Sequence, residues 1–148
     1  MKIFYLTNMK TLLLIVSMVL ACTMTSVGQN YMGLKQAKIL KDLGKPDSIG
    51  ANYLVYNDAE EDGINIYYFD ETGSCNSFEI IRVKSYLGEY QKMLNREFTK
   101  TCDNKYFKKM KKTNYMAELT LMQDSFQIKI QETNSDLMCS AKLALLSY

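Results

Sequence analysis

The chain has 148 residues, 47% of them hydrophobic, with eighteen Lys and Arg against sixteen Asp and Glu; it is sized for one domain with a single core. One Pro and seven Gly exclude a linker-like or collagenous chain. With no His at all, the side chain best suited to proton transfer near neutrality is missing, together with His-paired Ser or Cys nucleophiles and His metal ligands.

In chain order, Lys10 precedes an apolar run, residues 11–21 (TLLLIVSMVLA), followed by small and polar residues. That is the order of a secretory signal, and the run is short for a membrane span of roughly 20 apolar residues. Met9 sits before Lys10, so translation from Met1 or from Met9 yields a signal of this kind. Two processing routes compete. Val19-Leu20-Ala21-Cys22 resembles a lipobox that would make Cys22 a lipidation site, whereas Ser26-Val27-Gly28 resembles a signal-peptidase site and is the preferred reading. Residues 1–28 are then a removed signal and 29–148 a single domain, exported to the periplasm or cell envelope of a bacterium, or secreted. Lys2 and Lys10 leave with the signal and no acid does, so sixteen basic residues face sixteen acidic ones. A neutral domain of this kind is not expected to bind nucleic acid, which needs a strongly basic surface.

The mature chain opens on a helix predicted over 34–43. Leu34, Ala37, Leu40 and Leu43 recur at helical spacing with Ile39 beside them, and Lys35, Lys38 and Lys41 take the other side. Gly44 supplies a left-handed cap and Pro46 forbids continuation. Strands are predicted over 52–57, 64–70 and 75–84, rich in β-branched and aromatic residues, with the polar loop 58–63 and the turn Asp70-Glu71-Thr72-Gly73 between them. Ser85 can cap a second helix, over 85–100, in which Leu87, Tyr90, Leu94 and Phe98 share a face. Further strands fall over 105–111, 115–122 and 126–131. The tail from Ser135 reads as a helix packing Leu137, Ala141, Ala144 and Leu145, with a strand through 143–146 as the runner-up. The expected fold is α+β, two helices packed on an antiparallel sheet of five or six strands. Helix and three strands, twice over, hint at an α-β-β-β duplication.

Gly33, Gly44, Pro46, a Tyr-containing strand, and an aromatic strand ending Phe69-Asp70 before Gly73 form a pattern that resembles the bacterial β-lactamase-inhibitor-protein-like group. That group includes the small lipoprotein of the outer-membrane β-barrel assembly machinery. The resemblance covers the first half of the mature chain. It implies a helical segment across a small antiparallel sheet that binds other proteins or envelope components, and it carries over no partner-contact residue.

Several clusters are candidates for function. Tyr67 and Phe69 alternate away from Ile64, Ile66 and Tyr68, so if a helix covers the isoleucine face they are the candidate protein-binding pair; otherwise they are core. Lys108, Lys109 and Lys111, with Lys105 and Lys112, are the candidate contact with an anionic surface, or else a strand kept soluble by Lys. Asp58, Glu60, Glu61 and Asp62 crowd one loop, but their spacing fits no calcium-loop pattern and a solvated loop is the expectation. Cys75, Cys102 and Cys139 remain after cleavage at Gly28; outside the cytoplasm one disulfide with one thiol left over is the preferred reading, with the pairing open, and three free or buried thiols are the alternative. No cofactor, metal or catalytic residue is indicated. The expected role is a binding or assembly module whose partner is another envelope protein, with membrane contact only through a lipidated Cys22 or the lysine-rich strand. The alternatives are a small carboxylate-dependent hydrolase and a secreted structural protein.

Overall fold

The structure is a computed structural model that describes residues 31–110 and 112–133. Among them are eight antiparallel strands in one sheet and two α-helices. In order come α1 (Gln36–Leu43), β1 (Ser48–Ile49), β2 (Tyr53–Asp58), β3 (Gly63–Phe69), β4 (Cys75–Val83), α2 (Leu87–Glu97), β5 (Thr99–Cys102), β6 (Lys105–Lys109), β7 (Asn114–Leu121) and β8 (Ser125–Thr133). The sheet runs β1-β2-β3-β4-β8-β7-β6-β5. Each helix is therefore followed by a four-strand meander, and the two meanders join through their last strands, with Ile80 opposite Ile128.

This corrects the expected five or six strands: the sheet has eight, and the repeating unit has four strands instead of three. The two missed strands are short. β1 has only two residues. β5 (TKTC) follows directly on Phe98, whose apolar spacing with Leu87, Tyr90 and Leu94 extends the apparent helix through it. Ser85 is not a cap either; it lies in a single 3₁₀ turn, Lys84–Tyr86, that precedes α2. The tail helix or strand beyond Ser135 lies outside the described residues.

α1 stops where the sequence places the stop. The Gly44 N–H bonds the Leu40 carbonyl at 2.9 Å, and Gly44 takes φ 79° and ψ −152°. That is a region only glycine enters readily, but it is not the left-handed helical cap expected. α2 ends in parallel fashion, the Phe98 N–H bonding the Leu94 carbonyl, with extended backbone taking the place of glycine. At the β3–β4 turn, Gly73 sits at φ 74° while the Asp70 carboxylate accepts from Thr72 N–H, Thr72 Oγ1 and Ser74 N–H at 2.7–3.0 Å. Those bonds favour the ionised carboxylate, so Asp70 is held below its ordinary pKa, the Thr72 side chain being the main cause.

One face of the sheet carries the core. The register aligns Leu54, Tyr67, Phe78, Ile130, Ala117 and Tyr106 across six strands, with Ile80, Ile128 and Leu119 in the next row. Ile39 of α1 and Leu94 of α2 are buried in the same cluster, so both helices cover this face. No helix among the described residues is long and apolar enough to cross a membrane.

Candidate functional site

Alternation sends Tyr67 and Phe69 to the covered face. Tyr67 is 0% exposed and Phe69 5%. Tyr67 packs against Phe78 at 4.8 Å between ring centroids, and edge-on against Tyr31 at 5.7 Å and Tyr56 at 5.8 Å. Burial among these rings raises its phenol pKa, and its hydroxyl meets no hydrogen-bond partner among the described residues. The candidate binding pair is thus corrected to core. Period-2 spacing defines two faces without saying which one a helix covers, and here the larger rings go under the helices.

What remains on the other face is the isoleucine set. The register brings Tyr53 and Val55 of β2, Ile64, Ile66 and Tyr68 of β3, and Ile81 of β4 side by side, all half-buried. Next to them runs a row of alternating charge. Glu79 meets Lys129 at 3.3 Å, and further out Lys105 stands 4.0 Å from Glu118. Tyr68 leans on this row: its hydroxyl donates to Glu79 at 3.2 Å and Lys129 lies 5.8 Å over its ring. Desolvation, then the neighbouring Glu79 carboxylate, raises the Tyr68 pKa. The open face is apolar and aromatic over β2–β4 and mixed over β5–β8, where only Met116 and Phe107 interrupt the polar residues at paired positions.

The lysine cluster divides. Lys108 points to the covered side, where it pairs with Glu97 at 3.1 Å and stands 5.5 Å over the Phe98 ring. Glu97 is correspondingly depressed in pKa by hydrogen bonds from Arg96 and Lys108. Lys109 is exposed and, by alternation, faces the other way. These two lysines therefore form no common surface, which corrects the candidate anionic contact; Lys111 and Cys22 lie outside the described residues.

Sequence reasoning missed Arg82. Its side chain is 2% exposed, and all five of its N–H groups are used. Nε donates to Glu61 at 2.9 Å, one terminal nitrogen to the Ile64 and Ile81 carbonyls, the other to Asp58 at 2.8 Å and to Asn65 at 2.9 Å. Tyr90 of α2 donates to the same Glu61 and lies 5.8 Å from the guanidinium; burial, then the bond to Glu61, raises its pKa. Two of the four acids in the expected solvated loop are thus turned inward as counterions, while Glu60 and Asp62 stay exposed. A guanidinium with no spare donor is a structural anchor, not a ligand site. The signal was present: Arg82 keeps step with Phe78 and Ile80, so an inward-facing strand position demanded buried counterions. Cys75 is a free thiol, buried, with its pKa pushed up to about 12 by desolvation, and Cys102 is disulfide-bonded. No group of His, Cys, Asp or Glu that could hold a metal is found among the described residues.

No protein-family model, no curated protein and no solved structure matches the chain.

Proposed function

We propose that this chain is an exported cell-envelope binding module that docks another envelope protein through the open face of β2, β3 and β4. The observation that carries the reading is the one-sided cover: both helices pack on one face, while Tyr53, Val55, Ile64, Ile66, Tyr68 and Ile81 lie together on the other. A protein partner suits this patch, because aromatic and β-branched side chains fixed on a sheet bury much area at little entropic cost. The Glu79–Lys129 pair alongside it offers a polar rim. The resemblance to the β-lactamase-inhibitor-protein-like group supports the same role, and its three glycines, Gly33, Gly44 and Gly73, all sit at positive φ. The carboxylate-hydrolase alternative has less support, since Asp58 and Glu61, which share one partner, share a cation.

Site-specific photo-crosslinking in the native envelope tests the proposal, with the probe at Ile66 or, as control, at the exposed Glu89 of α2. The expected result is one envelope protein captured from position 66 and absent from position 89, lost again when Ile64→Glu is added at an unchanged melting temperature. The same adducts from both positions, or none from position 66, would remove the open face as the docking surface.

A further inference from the structure

On the outer half of the open face, β5–β8, the side chains form a pattern that matches itself when turned over. Lys105 stands opposite Glu118 and, two residues along, Phe107 stands opposite Met116, so β6 and β7 hold a square of four side chains on the open side. Thr99 of β5 flanks Phe107 and Gln131 of β8 flanks Met116, and that row reads polar, apolar, apolar, polar across four strands. Phe107 and Met116 are half-buried and are the two large apolar residues on this half of the face. Lys105 and Glu118 are each 47% exposed at the side chain and stand 4.0 Å apart, beyond hydrogen-bond reach, so each can take a further partner of opposite charge. A two-fold axis parallel to the strands, midway between β6 and β7, lays β6 of one copy on β7 of the other with the rows in step. Lys105 then faces Glu118 of the second copy and Glu118 faces its Lys105, while Phe107 and Met116 exchange in the same way. No like charges meet, since Lys129 faces Cys102 and Lys109 faces Asn114. An axis across the strands fails: it sets Lys105 against Lys105 or, moved midway between the two rows, against Phe107.

We propose that the chain forms a two-fold dimer through β5–β8 of the open face, with two Phe107–Met116 contacts at its centre and two Lys105–Glu118 ion pairs between the copies. Sulfur against an aromatic ring adds attraction beyond the area buried. The opposed charges fix the register of docking more than they strengthen it. Four strands at a spacing of about 4.8 Å, each contributing about six residues of about 3.4 Å, give roughly 400 Å² a side, about half of what a stable complex buries. The dimer is therefore weak and its population is set by concentration. It leaves the β2–β4 patch open and stands whether or not that patch binds a protein.

Sedimentation velocity of the full chain over a wide range of concentration is the test, and the average mass should rise toward that of two chains. Lys105→Glu and Glu118→Lys should each weaken association by about tenfold or more, because like charges then meet at both pairs. An equimolar mixture of the two variants should associate again, since every facing pair is then opposite in charge. The double variant Lys105→Glu with Glu118→Lys keeps the pair within the chain and should associate as the wild type does, which preserves the test if a single variant fails to fold. A wild type that stays monomeric leaves this half of the face to another occupant and overturns the proposal. Single variants that associate as tightly as the wild type, or a mixture and a double variant that do not recover, would overturn it as well.

Discussion

Replacing Arg82 by Met should destabilise the domain by about 3 kcal/mol. Methionine keeps most of the buried stem but removes five donors at once. Breaking a fully buried charge pair typically costs about 3–5 kcal/mol, because the surviving charge is stranded. Here the survivors are Asp58 and Glu61, whose side chains are 27% and 38% exposed and can recover water, so the loss belongs at the low end of that range. The orphaned Asn65 oxygen and the two carbonyls add up to about 1 kcal/mol each where they find no replacement. Arg82→Lys, with three donors for five acceptors, should lose roughly 1–2 kcal/mol. Urea unfolding followed by circular dichroism gives both values, and the Met variant should melt roughly 12 °C lower. If the cluster acts as a unit, adding Asp58→Asn and Glu61→Gln to Arg82→Met should restore part of the loss, because no unpaired charge then remains. An Arg82→Met protein within about 0.5 kcal/mol of wild type would refute the anchor role, since a side chain bonded at every N–H cannot be removed at no cost.

Three further outcomes follow from single residues. Tyr67→Phe should be neutral or stabilising by up to about 1 kcal/mol, as it deletes a buried hydroxyl with no partner among the described residues, whereas Tyr67→Ala should cost about 3–5 kcal/mol; a clear loss in the Phe variant would reveal a bond to that hydroxyl. Gly44→Val should cost about 1–3 kcal/mol through backbone strain alone, since a Cβ there meets nothing within 4 Å; an unchanged urea midpoint would show that the φ 79° conformation is not required. Asp70, with a folded pKa below its ordinary 3.8, contributes stability that is fully present above that value and lost as pH falls through the folded one; Asp70→Asn should flatten that part of an acid titration of unfolding, and an unaltered profile would assign the acid sensitivity elsewhere.

Sequence carried the first half of the fold further than the second. Gly44 and Pro46 stop α1, Asp70 to Gly73 turns the chain, and β2 and β3 lie within a residue or two of where their β-branched runs begin and end. These are local signals, written in backbone preference. The face of β3 that is covered depends on α1 and α2 returning over the sheet, which no window of seven residues records, so Tyr67 and Ile66 exchanged roles. β5 failed for a related reason: Thr99 to Cys102 has no apolar alternation of its own and is held by pairing with β6. Arg82 was legible in principle, from its parity with Ile80, but only after the acidic loop beside it is seen as a source of counterions.

The order of strands also bears on how the chain acquires its structure. Every pairing within a meander joins neighbours in sequence, so each half forms from short-range contacts that close quickly. The seam between β4 and β8 is different: Ile80 and Ile128 lie 48 residues apart, and until β8 arrives the outer edge of β4 is an unpaired strand bearing Phe78 and Ile80. A chain synthesised from its N-terminus completes β4 well before β8 exists. During that interval the β8 of another copy offers the same register and the same side chains, so the route to a strand-exchanged dimer is written into the topology, and the speed with which the second meander folds decides between the two.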